Sequence, residues 1–310
     1  MSKILITGGA GYIGSVLVKK LLDLNHEVTV IDNLFYNQNS LIDCCVYKKF
    51  NFVNLDINNI KEVISYVKKN DIIIPLAAIV GAPASDANIF YSENTNFNSM
   101  KEISKNISRN QIIIFPTTNS GYGIGEKGKY CTEESELRPI SSYGKQKVEL
   151  EKIYLDKNSS VSLRLATVFG PSPRMRTDLL VNNFVLKAIK DKCIVLFEEN
   201  FSRNYIHIED VCRAFIFSLD NFDKMKNQAF NVGLSSANLT KKELCEEIQK
   251  KIKFEIIISS IGKDPDKRDY IVSNEKIEKL GWKPIKNIQN GIDELIKVYN
   301  LINLKLYSNY

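Results

Sequence analysis

The first half of the chain alternates short apolar runs with stretches in which apolar positions recur every three or four residues. The runs at 4–6, 28–31, 50–53, 72–74, 112–115 and 161–165 are rich in isoleucine, valine and phenylalanine and have the length of strands. Between the first two, Ile13, Val16, Leu17, Val18, Leu21 and Leu24 share one face of a helix. Further helices are predicted near 59–69, 95–108 and 143–157. Nearly continuous apolar runs mark strands covered on both faces. The pattern therefore predicts an α/β fold, a Rossmann-type doubly wound parallel sheet. After Gly170, Pro171, Ser172 and Pro173 the rhythm breaks. Helices near 178–190, 241–253 and 288–301, with short strands between, follow without regular alternation. The division expected is a sheet domain over 1–170 and a mainly substrate-binding α/β domain over 171–310, with 204–233 returning to the sheet.

Composition narrows the function classes. With 44% hydrophobic and 25% charged residues in 310, the chain can bury a sizeable core and carries no signature of disorder. Its first apolar run is too short for a signal peptide, and no run reaches the length of a membrane span, so a cytoplasmic protein without membrane partners is expected. The six cysteines are scattered and there are only two histidines, His26 and His207, which argues against metal clips and Ser-His or Cys-His nucleophiles. A net charge of +6 suits an anionic small molecule; the charges are interspersed, so no nucleic acid is expected.

The segment Gly8, Gly9, Ala10, Gly11, Tyr12, Ile13, Gly14 joins the first strand to the first helix. Glycines there let backbone turn tightly and approach a pyrophosphate, while the helix N-terminus offers free N–H groups. A lone glycine motif is a weak signal, but this one is followed by Asp32 at the end of the second strand. A carboxylate at that point binds the adenosine ribose hydroxyls and repels a 2′-phosphate, so NAD is expected, with Asn33 beside it. Asp56 and Ile57 past the third strand, and Leu76, Ala77 and Ala78 at the end of the fourth, lie at carboxyl strand ends, where ligands bind in such sheets.

Tyr143 and Lys147 stand at i, i+4 on one helical face. A free tyrosine, with a pKa of about 10, is a poor base at neutral pH; an ammonium one turn away favours its phenolate. By itself such a pair is usually surface decoration. Here it follows a hydroxyl-rich segment, Pro116 to Gly123, that leaves the fifth strand's carboxyl end.

Gly8, Gly11 and Gly14, Asp32, Thr118 with Tyr122 and Gly123, Tyr143 with Lys147, and Arg164 with Gly170 and Pro171 follow the order of the extended short-chain dehydrogenases. More closely, the chain resembles the NAD-dependent epimerase/dehydratase family of nucleotide-sugar enzymes, through 203–211, Arg268-Asp269 and 280–284 as well. The resemblance implies Tyr143 as base, Lys147 on the nicotinamide ribose, and Thr118 as hydroxyl partner. It also implies Asn96 as an anchor beneath the site and a sugar pocket that includes Asn119, Arg176 and Asn182. Arg203 and Arg268 would grip the substrate diphosphate, a task that suits the guanidinium fork. A homodimer through the helices near 95–108 and 143–157 is implied too.

The family shares an opening oxidation at C4 of the sugar. Members that then eliminate water carry Asp-Glu after the threonine; here Asn119 and Ser120 stand there, and neither titrates usefully. A Cys/His pair for epimerisation at C3 and C5 is also missing from the expected places. A 4-dehydrogenase and a 4-epimerase both remain open, since each needs only Thr118, Tyr143 and Lys147. The segments 118–126, 165–170 and 172–176 are similar to bacterial GDP-mannoheptose 4-dehydrogenases of capsule synthesis, which implies a GDP-sugar and that reaction. Thr167 and Gly121 suggest a reshaped sugar pocket. A non-catalytic NAD-binding sensor is the alternative of another class; it is disfavoured because Thr118, Tyr143 and Lys147 are all kept.

Overall fold

Isoleucine at positions 4 and 6 faces one side of a sheet and Leu5 the other, and this alternation on every central strand gives the molecule two helical layers. A computed structural model describes residues 1–37, 39–80, 88–157, 159–261 and 267–302. Its first strands are β1 (Lys3–Thr7), β2 (Glu27–Asp32), β3 (Phe50–Asn54), β4 (Ile72–Pro75), β5 (Ile112–Thr118), β6 (Tyr130–Cys131) and β7 (Ser160–Leu165). They are followed by β8 (Thr167–Phe169), β9 (Cys193–Leu196), β10 (Ser202–His207), β11 (Gln228–Val232), β12 (Asn238–Thr240), β13 (Glu255–Ile258) and β14 (Ile271–Val272). Seven of them form a parallel sheet in the order β11-β7-β5-β4-β1-β2-β3. The chain reverses its winding between β1 and β4, and the crevice at the carboxyl ends of these two strands is where such sheets bind ligands.

The helices are α1 (Tyr12–Asp23), α2 (Ile60–Val67), α3 (Ile89–Glu93), α4 (Ser99–Lys105), α5 (Ser142–Leu155), α6 (Leu180–Lys190) and α7 (Ile208–Asp220), then α8 (Phe222–Met225), α9 (Lys241–Gln249), α10 (Glu275–Lys279) and α11 (Ile288–Tyr299). Leu17, Val18 and Leu21 of α1 and Val211, Cys212 and Phe215 of α7 cover the face of Ile4 and Ile6. Val63 and Val67 of α2, Met100 and Ile103 of α4, and Leu150 and Tyr154 of α5 cover that of Leu5. Helix α7 was not among the expected helices, although Ile208, Val211, Cys212 and Phe215 carry its period; His207 caps it by accepting the Glu209 N–H on Nδ1 at 3.2 Å. The predicted helix near 95–108 is continuous with α3 through a π-helical turn, Asn94–Asn98.

Strand β11 is the outer strand of the large sheet, paired with β7. A second core joins Phe169, Met175, Val181, Val185, Tyr205, Leu244, Ile248, Ile292 and Leu295 from α6, α9, α11 and the small sheets. Residues 172–174 of the segment after β8 bond to the first turn of α1, which brings this second core beside the crevice. Helix α7 and strand β11, by contrast, belong to the large sheet and its cover. None of the described helices is long and apolar enough to cross a membrane.

Candidate active site

The glycine turn is built for close approach. Gly8 has φ +70°, and a Cβ there would lie 2.5 Å from the Ala77 nitrogen; a Cβ at Gly14 would lie 2.6 Å from Gly9 Cα. The small residues ending β4 are therefore what the turn packs against. Gly11 starts α1 with no side-chain cap, so its first-turn N–H groups face the crevice. Asp32 accepts from the Ala10 N–H at 3.0 Å and the Leu34 N–H at 2.9 Å. Burial pushes its carboxyl up, while those two N–H bonds and the nearby Arg174 charge pull it back. A backbone cradle without Cβ atoms, ending at a carboxylate, fits a dinucleotide whose ribose carries free hydroxyls.

Asp56 takes Asn33 Nδ2 at 2.9 Å, Tyr91 Oη at 2.7 Å and the Asn58 N–H at 2.8 Å. Its carboxyl is held low despite burial, because those hydrogen bonds outweigh desolvation. Asn96 is buried and fully paired: it accepts from the Ile79 N–H at 2.7 Å and donates to the Ile79 carbonyl at 2.9 Å, fixing the chain beyond Ala77 and Ala78.

Three residues expected to bind cofactor have side chains turned elsewhere. Tyr12 donates its hydroxyl to the Gly170 carbonyl at 2.7 Å, Ile13 packs against the core beneath α1, and Ile57 lies in the core under α2. Only their backbone can face a ligand, because the apolar period of each element sends the side chain inward. Asn182 needs a similar correction. Its Oδ1 accepts from the Gly170 N–H at 3.0 Å, and its Nδ2 donates to the Arg176 carbonyl at 2.9 Å and to Tyr12 Oη at 3.3 Å. The amide is consumed by internal bonds, so Asn182 latches α6 to the glycine-loop helix rather than meeting a sugar.

Ser141 caps α5 by accepting the Gly144 N–H at 3.1 Å, which aims the first turns of the helix at the end of β5. Lys147 is 4% exposed; its Nζ donates to the Pro116 carbonyl at 3.4 Å and stands 5.8 Å from the Tyr143 ring centre. Burial pulls this ammonium down to about 8. Burial likewise pushes the Tyr143 hydroxyl up to about 12, opposed by the positive charges of Arg176 and Arg268. Two residues beyond Pro116, Thr118 donates to Ser120 Oγ at 2.9 Å and accepts the Ser120 N–H at 3.1 Å. Asn119 is 1% exposed and neither atom of its amide has a partner, leaving an open donor and acceptor beside Thr118.

A buried carboxylate fixes α5 to the sheet. Glu151 accepts from Thr117 Oγ1 at 2.9 Å, Ser162 Oγ at 2.6 Å and Arg164 Nη2 at 2.7 Å. Burial alone would lower Arg164, but the Glu151 carboxylate overrides it and raises the guanidinium. Gly121 has a packing cause: a Cβ there would sit 3.1 Å from Val148 and 3.3 Å from Leu137. The missing side chain thus admits α5 rather than enlarging a pocket.

The arginines come from segments after β8. Arg203 lies 5.4 Å from the Tyr270 ring, and Arg268, two residues before Tyr270, donates to Ser120 Oγ. Arg176 is paired with Asp178. The charges of Arg176 and Arg268 reach Tyr143 from outside α5, which sequence spacing could not show. Arg174, not anticipated as a site residue, is equally buried; desolvation and the Arg176 charge pull it down to about 10.

A doubly wound sheet with this glycine cradle, an acidic β2 end and a helix carrying Tyr143 and the buried Lys147 defines the class of Rossmann-type dehydrogenases. Residues 4–233 match the NAD dependent epimerase/dehydratase family, and the chain belongs to that family. It is an NAD-dependent enzyme. Among similar proteins is a putative UDP-glucose 4-epimerase of Methanocaldococcus jannaschii, 29% identical and covering 94% of this chain and 97% of its own. Another is a UDP-glucose 4-epimerase of Lactobacillus helveticus, 28% identical over 91% of this chain and 92% of its own. The structure of the Thermus thermophilus UDP-glucose 4-epimerase in complex with NAD superposes with a TM-score of 0.81 at 23% identity, covering 96% and 99% of the two chains, and shares the fold.

Proposed function

We propose that this enzyme is a nucleotide-sugar 4-epimerase acting on a nucleoside-diphosphate hexose or a closely related sugar, with UDP as the favoured carrier. Oxidation at C4 without elimination of water is supported by Tyr143, Lys147 and Thr118 at the end of β5, with Asn119 and Ser120 rather than an acid–base pair beside them. The epimerase outcome is carried by the 4-epimerase relatives, alike over nearly the full chain.

NAD would be held by the glycine turn and Asp32 and would supply the acceptor, and on return the donor, of a hydride at C4. Tyr143 removes the C4 hydroxyl proton, and its phenolate is favoured by Lys147, Arg176 and Arg268. Thr118 hydrogen-bonds the same oxygen as it becomes a carbonyl. Lys147 would also bond the ribose of the cofactor. Asn119 offers its unpaired amide to a sugar hydroxyl. Arg203 and Arg268 hold the diphosphate, so the 4-keto sugar can turn about it and present its other face to Tyr143.

A 4-dehydrogenase acting on GDP-mannoheptose in capsule synthesis is the second reading. It shares every step up to the keto sugar and is favoured by the likeness of 118–126 and 172–176 to that group. Incubation with UDP- and GDP-sugars, followed by chromatography and mass spectrometry, decides between them. A new peak of unchanged mass is expected. A product lighter by two hydrogens, with stoichiometric NADH, would replace the epimerase by the dehydrogenase.

The assembly that goes with the family resemblance is a homodimer across α4 and α5. Support on the surface comes from Ile89 and Phe90 of α3, 68% and 76% exposed at the start of that helical segment.

A further inference from the structure

We propose that Arg174 is a cofactor-binding residue: its guanidinium, carried on the segment after β8 and seated on Tyr36, forms a cationic wall of the adenosine-ribose pocket opposite Asp32. The inference rests on the NAD dependence of the family and not on which sugar reaction follows.

Three observations place it there. Ser172 Oγ donates to the Tyr12 carbonyl at 2.7 Å and lies 2.9 Å from Ser15 Oγ, and the Arg174 N–H reaches the same Ser15 hydroxyl at 3.4 Å. Residues 172–174 are therefore stitched onto the first turn of α1, where the cofactor diphosphate is expected. The guanidinium then lies 4.1 Å from the ring centre of Tyr36, four residues beyond Asp32 on the loop leaving β2. That loop is itself drawn onto the glycine turn, since Ser40 Oγ donates to the Ala10 carbonyl at 2.7 Å. Arg174 is 3% exposed and donates from Nη1 to the Met175 carbonyl at 3.5 Å, while Arg176, two residues on, pairs with Asp178. Asp32 and Arg174 also feel each other's charge.

A consequence for selectivity follows. Arginine near the adenosine ribose is what accommodates a 2′-phosphate, whereas the β2 carboxylate excludes it. With a cation already built in, the preference for NAD over NADP depends on Asp32 alone.

Titration of the purified full-length chain with NADH and NADPH, followed by fluorescence or calorimetry, tests both parts. Arg174→Gln is expected to weaken NADH binding by about 10- to 100-fold, the loss of one charged hydrogen-bonding partner. Asp32→Ser is expected to tighten NADPH binding by about tenfold or more, and Asp32→Ser/Arg174→Gln to lose that gain. Wild-type NADH affinity in Arg174→Gln, or an undiminished NADPH gain in the double variant, would overturn the proposal. Should Arg174→Gln fail to fold by circular dichroism, Arg174→Lys replaces it in both backgrounds. The lysine keeps the charge without the fork, so a smaller loss of NADH affinity is expected, and affinities unmoved by it are equally fatal.

Discussion

Burial pushes the Tyr143 hydroxyl up to about 12, and the charges of Arg176 and Arg268 only partly offset that cost. Lys147, 5.8 Å from the ring centre, would favour the phenolate further, as would the positive ring of an oxidised nicotinamide cofactor. Tyr143→Phe is therefore expected to lower turnover by about a thousandfold or more while leaving NADH affinity within about threefold of wild type. Turnover near wild type in a steady-state assay would rule this residue out as the base. Lys147 contributes a pH signature. Its pKa falls from the ordinary 10.5 to about 8, so between those values the unfolded chain binds more protons than the folded one. Stability contributed by this residue consequently rises with pH across that window and is lowest below pH 8. Lys147→Met should be more thermostable than wild type at pH 7, by at most about 3 kcal/mol, with the difference shrinking toward pH 10.5. Thermal unfolding of both proteins from pH 6.5 to 10.5 measures it; a difference independent of pH would show that Lys147 is not desolvated. Tyr143, Lys147 and Thr118 were legible as residues because their types and spacing carry the chemistry. Arg174 was not, since nothing within its own segment says that it stacks on Tyr36.

At the scale of the element, α5 owes its rotation about its own axis to Glu151. Four residues beyond Lys147 the carboxylate meets donors from β5 and β7, so the helix cannot turn without breaking several charge-assisted bonds. Glu151→Ala strands Arg164 in the interior and is expected to cost about 3–5 kcal/mol of stability. Glu151→Gln keeps acceptors for Thr117 and Ser162 and should cost less; denaturant titrations of both variants check the order. The strands and most helices were legible in the sequence because their apolar periods are strong. Helix α7 has the same period, yet it sits between two strands of different sheets, and irregular spacing of elements hid it. The reassignment of Asn182 has the same origin. Its type suits a sugar site, and only the approach of α6 to Gly170 and Tyr12 shows that its hydrogen bonds are spent.

At the scale of the whole molecule, the second core is held beside the crevice by a few buried polar bonds around Tyr12. Tyr12 joins Gly170 and Asn182, and Tyr299 of α11 donates to the Asn182 carbonyl at 2.7 Å. Asn182→Ala should leave the Gly170 N–H unpaired, lower the melting temperature by several degrees and raise the KM for the nucleotide sugar more than it lowers kcat. An unchanged KM would separate this latch from substrate binding. Light scattering on the purified chain is expected to show a dimer, and Phe90→Glu, on an exposed ring at the edge of the proposed interface, to shift it toward monomer. A wild-type monomer at micromolar concentration would remove that assembly.

The sequence by itself determined the doubly wound sheet, the cofactor turn with its acidic partner, and the Tyr–Lys helix. Each is written in local periodicity or in spacings of a few residues, and local chain geometry converts such spacings directly into shared faces and tight turns. Only the tertiary structure decided which side chains those elements spend on one another. The spent amide of Asn182, the open one of Asn119, the bolt at Glu151 and the cationic wall at Arg174 all depend on partners far away in the chain. Polar groups at such sites are assigned by what burial leaves for them to bond, and that is settled when distant segments pack.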